Sequence, residues 1–309
     1  MGRYILKRVL MLIPVILGVT FMVYFIMDFA PGDTALSILG ITATDDELNA
    51  LREQLGLNRP VWQRYLSYMW DLLHGDMGTS WRTGRDVFNE IIIRLPATAQ
   101  LGFWSVLLGV VIAVPAGIIS AVKQYSIWDV LSMIVALLGV ATPNFWIGLM
   151  LIIWFSLNLR WLPTGGMGTW KNLVMPVITL GTSGAASICR MTRSSMLEVI
   201  HQDYIRTAKA KGVSASVVIR KHALRNALLP TVTTIGMQLG VVMGGSVLVE
   251  TVFSWPGVGN FMVDSIKNKD TPAALGCIVL LTVWLTVMNL FVDILYGFID
   301  PRIKAQYKG

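Results

Sequence analysis

Few residues of this 309-residue chain combine in a pattern that does chemistry. The three histidines, His74, His201 and His222, are scattered. None belongs to an H-E-x-x-H stretch, the helical spacing that turns two imidazoles onto one metal ion. No G-x-S-x-G elbow presents a nucleophilic serine. No G-x-x-x-x-G-K-[ST] loop is present to cradle phosphates, so the motifs give the chain no nucleotide hydrolysis of its own. Cys189 and Cys277 lie in apolar stretches, in no pair or cluster that reads as a disulfide framework or a zinc site. The expectation is a chain without catalytic residues, metal site or cofactor.

Acids in apolar surroundings are the next candidates, because an ionisable group at membrane depth is costly and marks function by default. Asp28 and Glu250 fall near the outer ends of their apolar segments and Asp293 near an inner end. There the cost is smaller, and a solvated or paired structural role is the better reading. Asn289 and Asp293, four apart, share a helix face suited to packing. A chain of buried acids, as a proton relay requires, is missing. What remains is the stretch DYIRTAKAKGVSASVVIRKHALRNALLP, Asp203 to Pro230, with six of the 25 Lys and Arg residues and one acid.

The elements that hold this stretch are apolar. Hydrophobic residues make up 54% of the chain and charged residues 14%, against about 25% charged in soluble domains. Six runs approach or exceed the roughly 20 residues that cross a bilayer. They are Val9–Phe29, Gln100–Val122, Val130–Leu157, Asn172–Cys189, Leu229–Phe253 and Ala273–Ile299. The fourth is short and rich in small residues, so it is expected to pack against protein rather than lipid. The first resembles a signal peptide, but its apolar run is long, no A-x-A site follows, and Pro31 comes directly after Ala30. It reads as an uncleaved span. Pro115 and Pro143 are expected to break the second and third segments. Gly236, Gly240 and Gly244, spaced by four, allow close helix approach, either within the chain or against a second subunit.

Loop charge sets the orientation. With the N-terminus inside, fifteen Lys and Arg fall on the inner side and four in the short outer loops. The net charge of +7 is thereby explained by topology rather than by nucleic acid. Both termini are expected to be cytoplasmic. The long outer loop reads as folded. Thr44 and Glu47 form a capping box and Gly56 is a stop. Pro60 opens a second helix with Trp62, Tyr65, Leu66, Met69, Leu72 and Leu73 on one face. A third short helix is expected over Val87–Arg94. This loop is either a cap on the membrane part or a docking surface for an extracytoplasmic partner.

Within the basic stretch, Asp203 suits an N-cap and Gly212 the C′ position, with Lys209 and Lys211 where the helix dipole favours cations. Ser214 then caps a second helix ending near Pro230. Ala208 and Ala210 are small enough to let another protein approach. The stretch is a solvated positive-inside loop, an anionic-lipid site, or a prong for a partner's groove.

RTAKAKG (Arg206–Gly212) followed by HALRNALLP resembles the cytoplasmic "EAA" loop of ABC importer permeases, in the version found in the binding-protein-dependent dipeptide/oligopeptide/nickel family. The resemblance runs along nearly the whole chain. It includes RYILKRVLMLIPVILGVT, APGD (Ala30–Asp33), LREQLGLNRPVWQRYLSYMWDLLHGDMGTS (Leu51–Ser80), TPNFW (Thr142–Trp146), RMTRSSMLEV (Arg190–Val199), FSWPGVG (Phe253–Gly259) and VDILYGFIDPR (Val292–Arg302). It implies an all-α, polytopic membrane protein of the type I ABC importer permease fold in a bacterial or archaeal cell membrane. Residues 1–30 would be the N-terminal end and first span, 31–98 the outer helical loop, 99–300 the permease core and 301–309 a cytoplasmic tail. The implied partners are a sister permease, two cytoplasmic ATPase subunits that bind the ATP and Mg, and an extracytoplasmic binding protein. Arg206, Thr207, Ala208, Lys209, Ala210, Lys211 and Gly212, within a loop spanning about 190–228, would then contact the ATPase. The general motif has Glu six residues before its Gly, where this chain has Arg206, so the basic loop is expected to meet an acidic groove. Peptides are the expected substrate class, with a nickel or other metal chelate as the alternative. The rival class, a stand-alone secondary carrier, needs inverted repeats or coupling-ion sites, and neither is evident. Thr142, Asn144, Gln238 and Ser246, polar and near broken helices, either line a pathway or pack.

Overall fold

The computed structural model describes residues 2–299. Among them the chain is helical, with one isolated antiparallel bridge between Thr79 and Asp86. The helices are α1 (Gly2–Phe29), α2 (Thr34–Leu39), α3 (Asp45–Gln54), α4 (Val61–Leu73), α5 (Val87–Val122), α6 (Ile127–Ala141), α7 (Asn144–Leu151), α8 (Trp170–Ile200), α9 (Asp203–Ala210), α10 (Ala215–Val217), α11 (Leu224–Val252), α12 (Val258–Lys267) and α13 (Thr271–Ile299). Two π-helical stretches, Ile152–Asn158 and Val218–Ala223, extend α7 and join α10 to α11. Among the described residues, four helices are long and apolar enough to cross a membrane, and the number rises to six if each of two bent pairs is one span. The expected tail at 301–309 and the side chain of Asp293 lie outside the described residues.

Two compact units divide the chain. One comprises residues 2–98 and 256–286. Here Tyr24 of α1, Tyr65 and Met69 of α4 and Leu275 of α13 form one buried cluster. Val87 and Ile91 of α5, Val258 of α12 and Ala273 and Cys277 of α13 form another. The Thr44–Glu47 capping box forms as expected, with Thr44 N–H donating to the Glu47 carboxylate at 2.8 Å. The expected single apolar face of α4 divides in two. Tyr65 and Met69 turn inward, whereas Trp62, Leu66 and Leu73 are exposed. Six apolar residues spread over three turns cover more of the helix circumference than one neighbour can bury.

The expected short helix at Val87–Arg94 is the start of α5, which runs for 36 residues. No glycine stops it, and it passes through both Pro96 and Pro115, so the expected break at Pro115 does not occur. Pro143 does break its segment: α6 and the α7 extension meet at 100°.

The other unit comprises Ala99–Trp255 and the chain from Val287 on. The helix α8 is its centre, packed on α6, α7 and α11. Its small residues serve close approach. A Cβ on Gly181 would lie 3.0 Å from Ser105 O, and one on Gly117 of α5 would lie 2.7 Å from Thr192 Cβ. Half of its most apolar window is buried inside the protein, as the Gly, Ser and Ala of this segment require. Gly236 likewise seats α11 against Val292 of α13, where a Cβ would come within 2.8 Å of both Val292 methyls. Phe253, buried at the end of α11, fits a slot made by two glycines: a Cβ on Gly165 would meet its carbonyl at 2.1 Å and one on Gly148 its ring at 3.1 Å.

Candidate functional site

The basic loop begins two residues after α8, past His201 and Gln202. Gln202, not Asp203, is the N-cap of α9, with an extended backbone and no side-chain cap bond. Its carbonyl accepts from Ile205 and Arg206 N–H. Asp203 is therefore the first helical residue, where its charge still faces the positive end of the helix. At the other end Val213 N–H donates to Ala208 O at 3.2 Å and Gly212 N–H to Lys209 O at 3.0 Å. This is a Schellman closure. Gly212 has φ of +78°, and no atom lies within 4 Å of where its Cβ would be. The glycine is there for backbone conformation, not for room.

A helix of eight residues is marginal alone, so α9 depends on its seat. Ile205 is fully buried against Met196 of α8, Val218, Ala223 and Ala227, and Ala208 and Val213 pack on the same cluster. Asn226 Nδ2 donates to the Tyr204 hydroxyl at 2.8 Å, fastening the loop's first helix to the start of α11. Ala208 thus faces this chain's own core, and Ala210 alone of the two alanines is outward. Arg206, Thr207, Lys209, Lys211 and Gly212 are exposed. Arg206 reaches Asp203 only at 4.0 Å, and Thr207 Oγ1 donates to Asp203 O at 3.0 Å. The outer surface of the loop is therefore basic.

The second helix of the loop does not end near Pro230. It starts after Ser214, whose carbonyl accepts from Val217 and Val218, passes through the π-helical stretch, and continues as α11 through Pro230 to Val252. Pro230 removes the N–H that would donate to Asn226 O, yet the helix runs on through it.

Behind the loop stands an ion pair that sequence reasoning missed, its carboxylate buried and its guanidinium partly exposed. Arg193 of α8 grips Asp129 of α6 with one edge of its guanidinium: Nε donates to Oδ1 at 2.7 Å and Nη2 to Oδ2 at 2.9 Å. Ser120 Oγ of α5 also donates to Oδ1, and Tyr125 N–H to Oδ2 at 3.0 Å. Asp129 is 3% exposed. The visible signal was Ser126-x-x-Asp129, in which Ser126 caps α6. The partner across 64 residues had no local signature.

Beside this pair lies a cavity of about 840 Å³ walled by α5, α6, α7 and α8. Its walls are apolar apart from Ser132, Thr142 and Thr182, and they include Trp128, Leu131, Gly139 and Cys189. Thr142 is the one candidate pathway residue on this wall. Asn144 is half-buried at the start of α7. The Gln238 side chain lies 3.6 Å from the Cβ position of Gly184, packed on α8. Ser246 is fully buried and donates to the Glu250 carboxylate at 3.0 Å. Glu250 is fully buried too, which suits a structural role. Asp28 is paired with Arg64 at 2.5 Å. Among the described residues no group of three or more His, Cys, Asp or Glu is placed to hold a metal ion.

Known proteins give this arrangement a context. Residues 113–305 match the family described as binding-protein-dependent transport system inner membrane component, and residues 1–102 match its N-terminal companion. The chain belongs to this family. It is 44% identical to the dipeptide transport system permease protein DppB of Alkalihalophilus pseudofirmus, over 98% of this chain and all of that one. It is 41% identical to the oligopeptide transport system permease protein AppB of Bacillus subtilis, over 98% of this chain and all of that one. The glutathione transport system permease protein GsiC of Escherichia coli K12 is also 41% identical, over 99% of this chain and all of that one. Among solved structures, an inward-facing MetNI methionine ABC transporter chain superposes with a TM-score of 0.59 at 19% identity, over 68% of this chain and 96% of that chain. The two chains share a fold.

Proposed function

We propose that the chain is the membrane permease subunit of an ATP-driven importer of di- or oligopeptides, and that its basic loop is the ATPase contact. The observation that carries this reading is the loop itself. A short helix is seated on the chain's own core through Ile205 and closed by Gly212, with its cationic side turned outward. A rigid, outward-facing prong suits force transfer better than a mobile tether does. Six spans with both termini cytoplasmic would place this loop inside, where ATP is. Peptide is favoured over a nickel chelate because the relatives described above are named for dipeptide, oligopeptide and glutathione transport. In this reading, a sister permease completes the pathway, two ATPase subunits bind ATP and Mg, and a binding protein delivers the peptide.

The chain's own residues supply position, not bond-making. Arg206, Lys209 and Lys211 offer charge to an acidic groove, Ile205 and Ala208 hold the helix down, and Gly212 sets where it stops. The test is reconstitution of the complete complex, two permeases, two ATPase subunits and the binding protein, in liposomes. ATP-dependent uptake of a labelled dipeptide is expected only with ATPase subunits and binding protein present. Uptake by the chain alone along an ion gradient would establish a secondary carrier instead. Uptake of nickel complexes with no response to peptide would replace the substrate class.

A further inference from the structure

The Asp129–Arg193 pair sits between the basic loop and the apolar cavity. On the loop side, Arg193 lies two turns before the end of α8, and Met196, three residues on, packs on the buried Ile205. On the cavity side, Trp128, Leu131 and Ser132 flank Asp129 and line the cavity from α6, while Cys189, one turn before Arg193, lines it from α8. One carboxylate accepts from Arg193 twice, from Ser120 and from Tyr125 N–H, which joins three helices at a point.

We propose that the Asp129–Arg193 pair is a positioning element of transport, the tie through which displacement of α9 reaches α6 and the walls of the cavity. This rests on the reading of the basic loop as the ATPase contact. An ion pair with one buried partner is weak support for stability, because desolvation of the carboxylate offsets much of the Coulomb gain. A planar fork on a carboxylate does fix distance and orientation together. A hydrophobic contact would let α6 slide against α8, whereas two parallel hydrogen bonds do not. The α6–α7 bend lies at the opposite end of α6 from Asp129, so a shift of α8 that carries Asp129 moves α6 as a whole and with it one wall of the cavity.

The experiment uses the complete importer in proteoliposomes and measures peptide uptake and ATP hydrolysis together. Asp129→Asn is expected to lower peptide imported per ATP by about tenfold, in the usual range for coupling between sites, while hydrolysis continues. Arg193→Lys keeps the charge but loses the fork, and is expected to give an intermediate ratio. The double variant Asp129→Asn with Arg193→Gln removes both charges. It is expected to assemble as well as the wild type but to stay poorly coupled, since a neutral amide pair is a weaker tie. A merely structural pair predicts otherwise: uptake and hydrolysis would fall in parallel with the amount of assembled complex, and the double variant would recover both. Either result, or unchanged coupling in all three variants, overturns the tie. A wild-type complex that hydrolyses ATP without importing peptide would overturn the functional reading itself, and the tie with it.

Discussion

Gly212 carries the sharpest consequence at the scale of single residues. Its φ of +78° costs an L-residue roughly 1–2 kcal/mol, with open space around the Cβ position. Gly212→Ala should therefore fold with α9 slightly loosened. Gly212→Pro is different. It forces φ near −65° and deletes the N–H that donates to Lys209 O. We expect Gly212→Pro to insert normally and to hydrolyse ATP within the complex, but to lose peptide uptake. Full uptake at normal expression would remove Gly212 from the mechanism. A second residue-level prediction concerns Asp33, which caps α2 and accepts from Arg52 Nε at 3.1 Å. The Arg52 hydrogen bonds hold its carboxyl below the ordinary value, aided by Ala35 N–H. The contribution is fully present above the unfolded carboxyl's value, about 3.9, and is lost as pH falls through the lower folded one. Acid unfolding of Arg52→Ala should thus begin at higher pH than that of the wild type, as read by tryptophan fluorescence, and the two should differ least at the acid extreme.

At the scale of elements, α9 stands or falls with Ile205. Truncation of a buried isoleucine costs roughly 2–5 kcal/mol, more than an eight-residue helix can recover from propensity. Ile205→Ala should leave the membrane helices intact, expose the loop to proteolysis between Gln202 and Ser214, and weaken copurification of the ATPase subunits. Lys209→Ala, on the exposed side, should leave proteolysis unchanged and weaken copurification most at low salt, the difference from wild type shrinking as salt screens the lost charge. Protease resistance equal to wild type in Ile205→Ala would show that the seat does not hold the helix. The contrast also explains what could be read from sequence. The Gly212 closure was legible because left-handed backbone leaves a residue-type signature. The Asp203 cap was misplaced by one residue because Gln202 caps through backbone geometry alone. Pro115 was misjudged because a proline in a long apolar helix is tolerated where neighbours pack against it, and Gly117 against Thr192 is such a neighbour. The Asp129–Arg193 pair was illegible because nothing local in either segment names its partner.

At the scale of the whole molecule, one unit's contacts limit how many times the chain crosses the bilayer. In that unit Lys269 donates to Ala30 O at 2.7 Å, Asp270 accepts from Trp81 N–H at 3.0 Å, and Arg82 pairs with Asp264 at 2.8 Å. The loop around Lys269 therefore lies on the same side as the long loop that contains Arg82. An even number of crossings must separate them. Between the two come α5, the α6–α7 pair, α8 and α11, whose helix bends by 52° between Val242 and Ser246. If both bent pairs cross, the number is four. If neither crosses, it is two. A mixture of one and one is excluded. The two surviving cases place the basic loop on opposite sides, because it follows α8: three crossings from the long loop in the first case, two in the second. The excess of Lys and Arg in the basic loop favours three, since a basic loop stays on the inner face. The native Cys189 and Cys277 are buried at 5% and 0% exposure, so labelling background should be low. A membrane-impermeant maleimide should label Asp46→Cys in intact spheroplasts and Lys209→Cys only after permeabilisation. Labelling of both from outside would make the bent pairs re-entrant, turn the basic loop away from the ATP-containing compartment, and remove the ground for reading it as the ATPase contact.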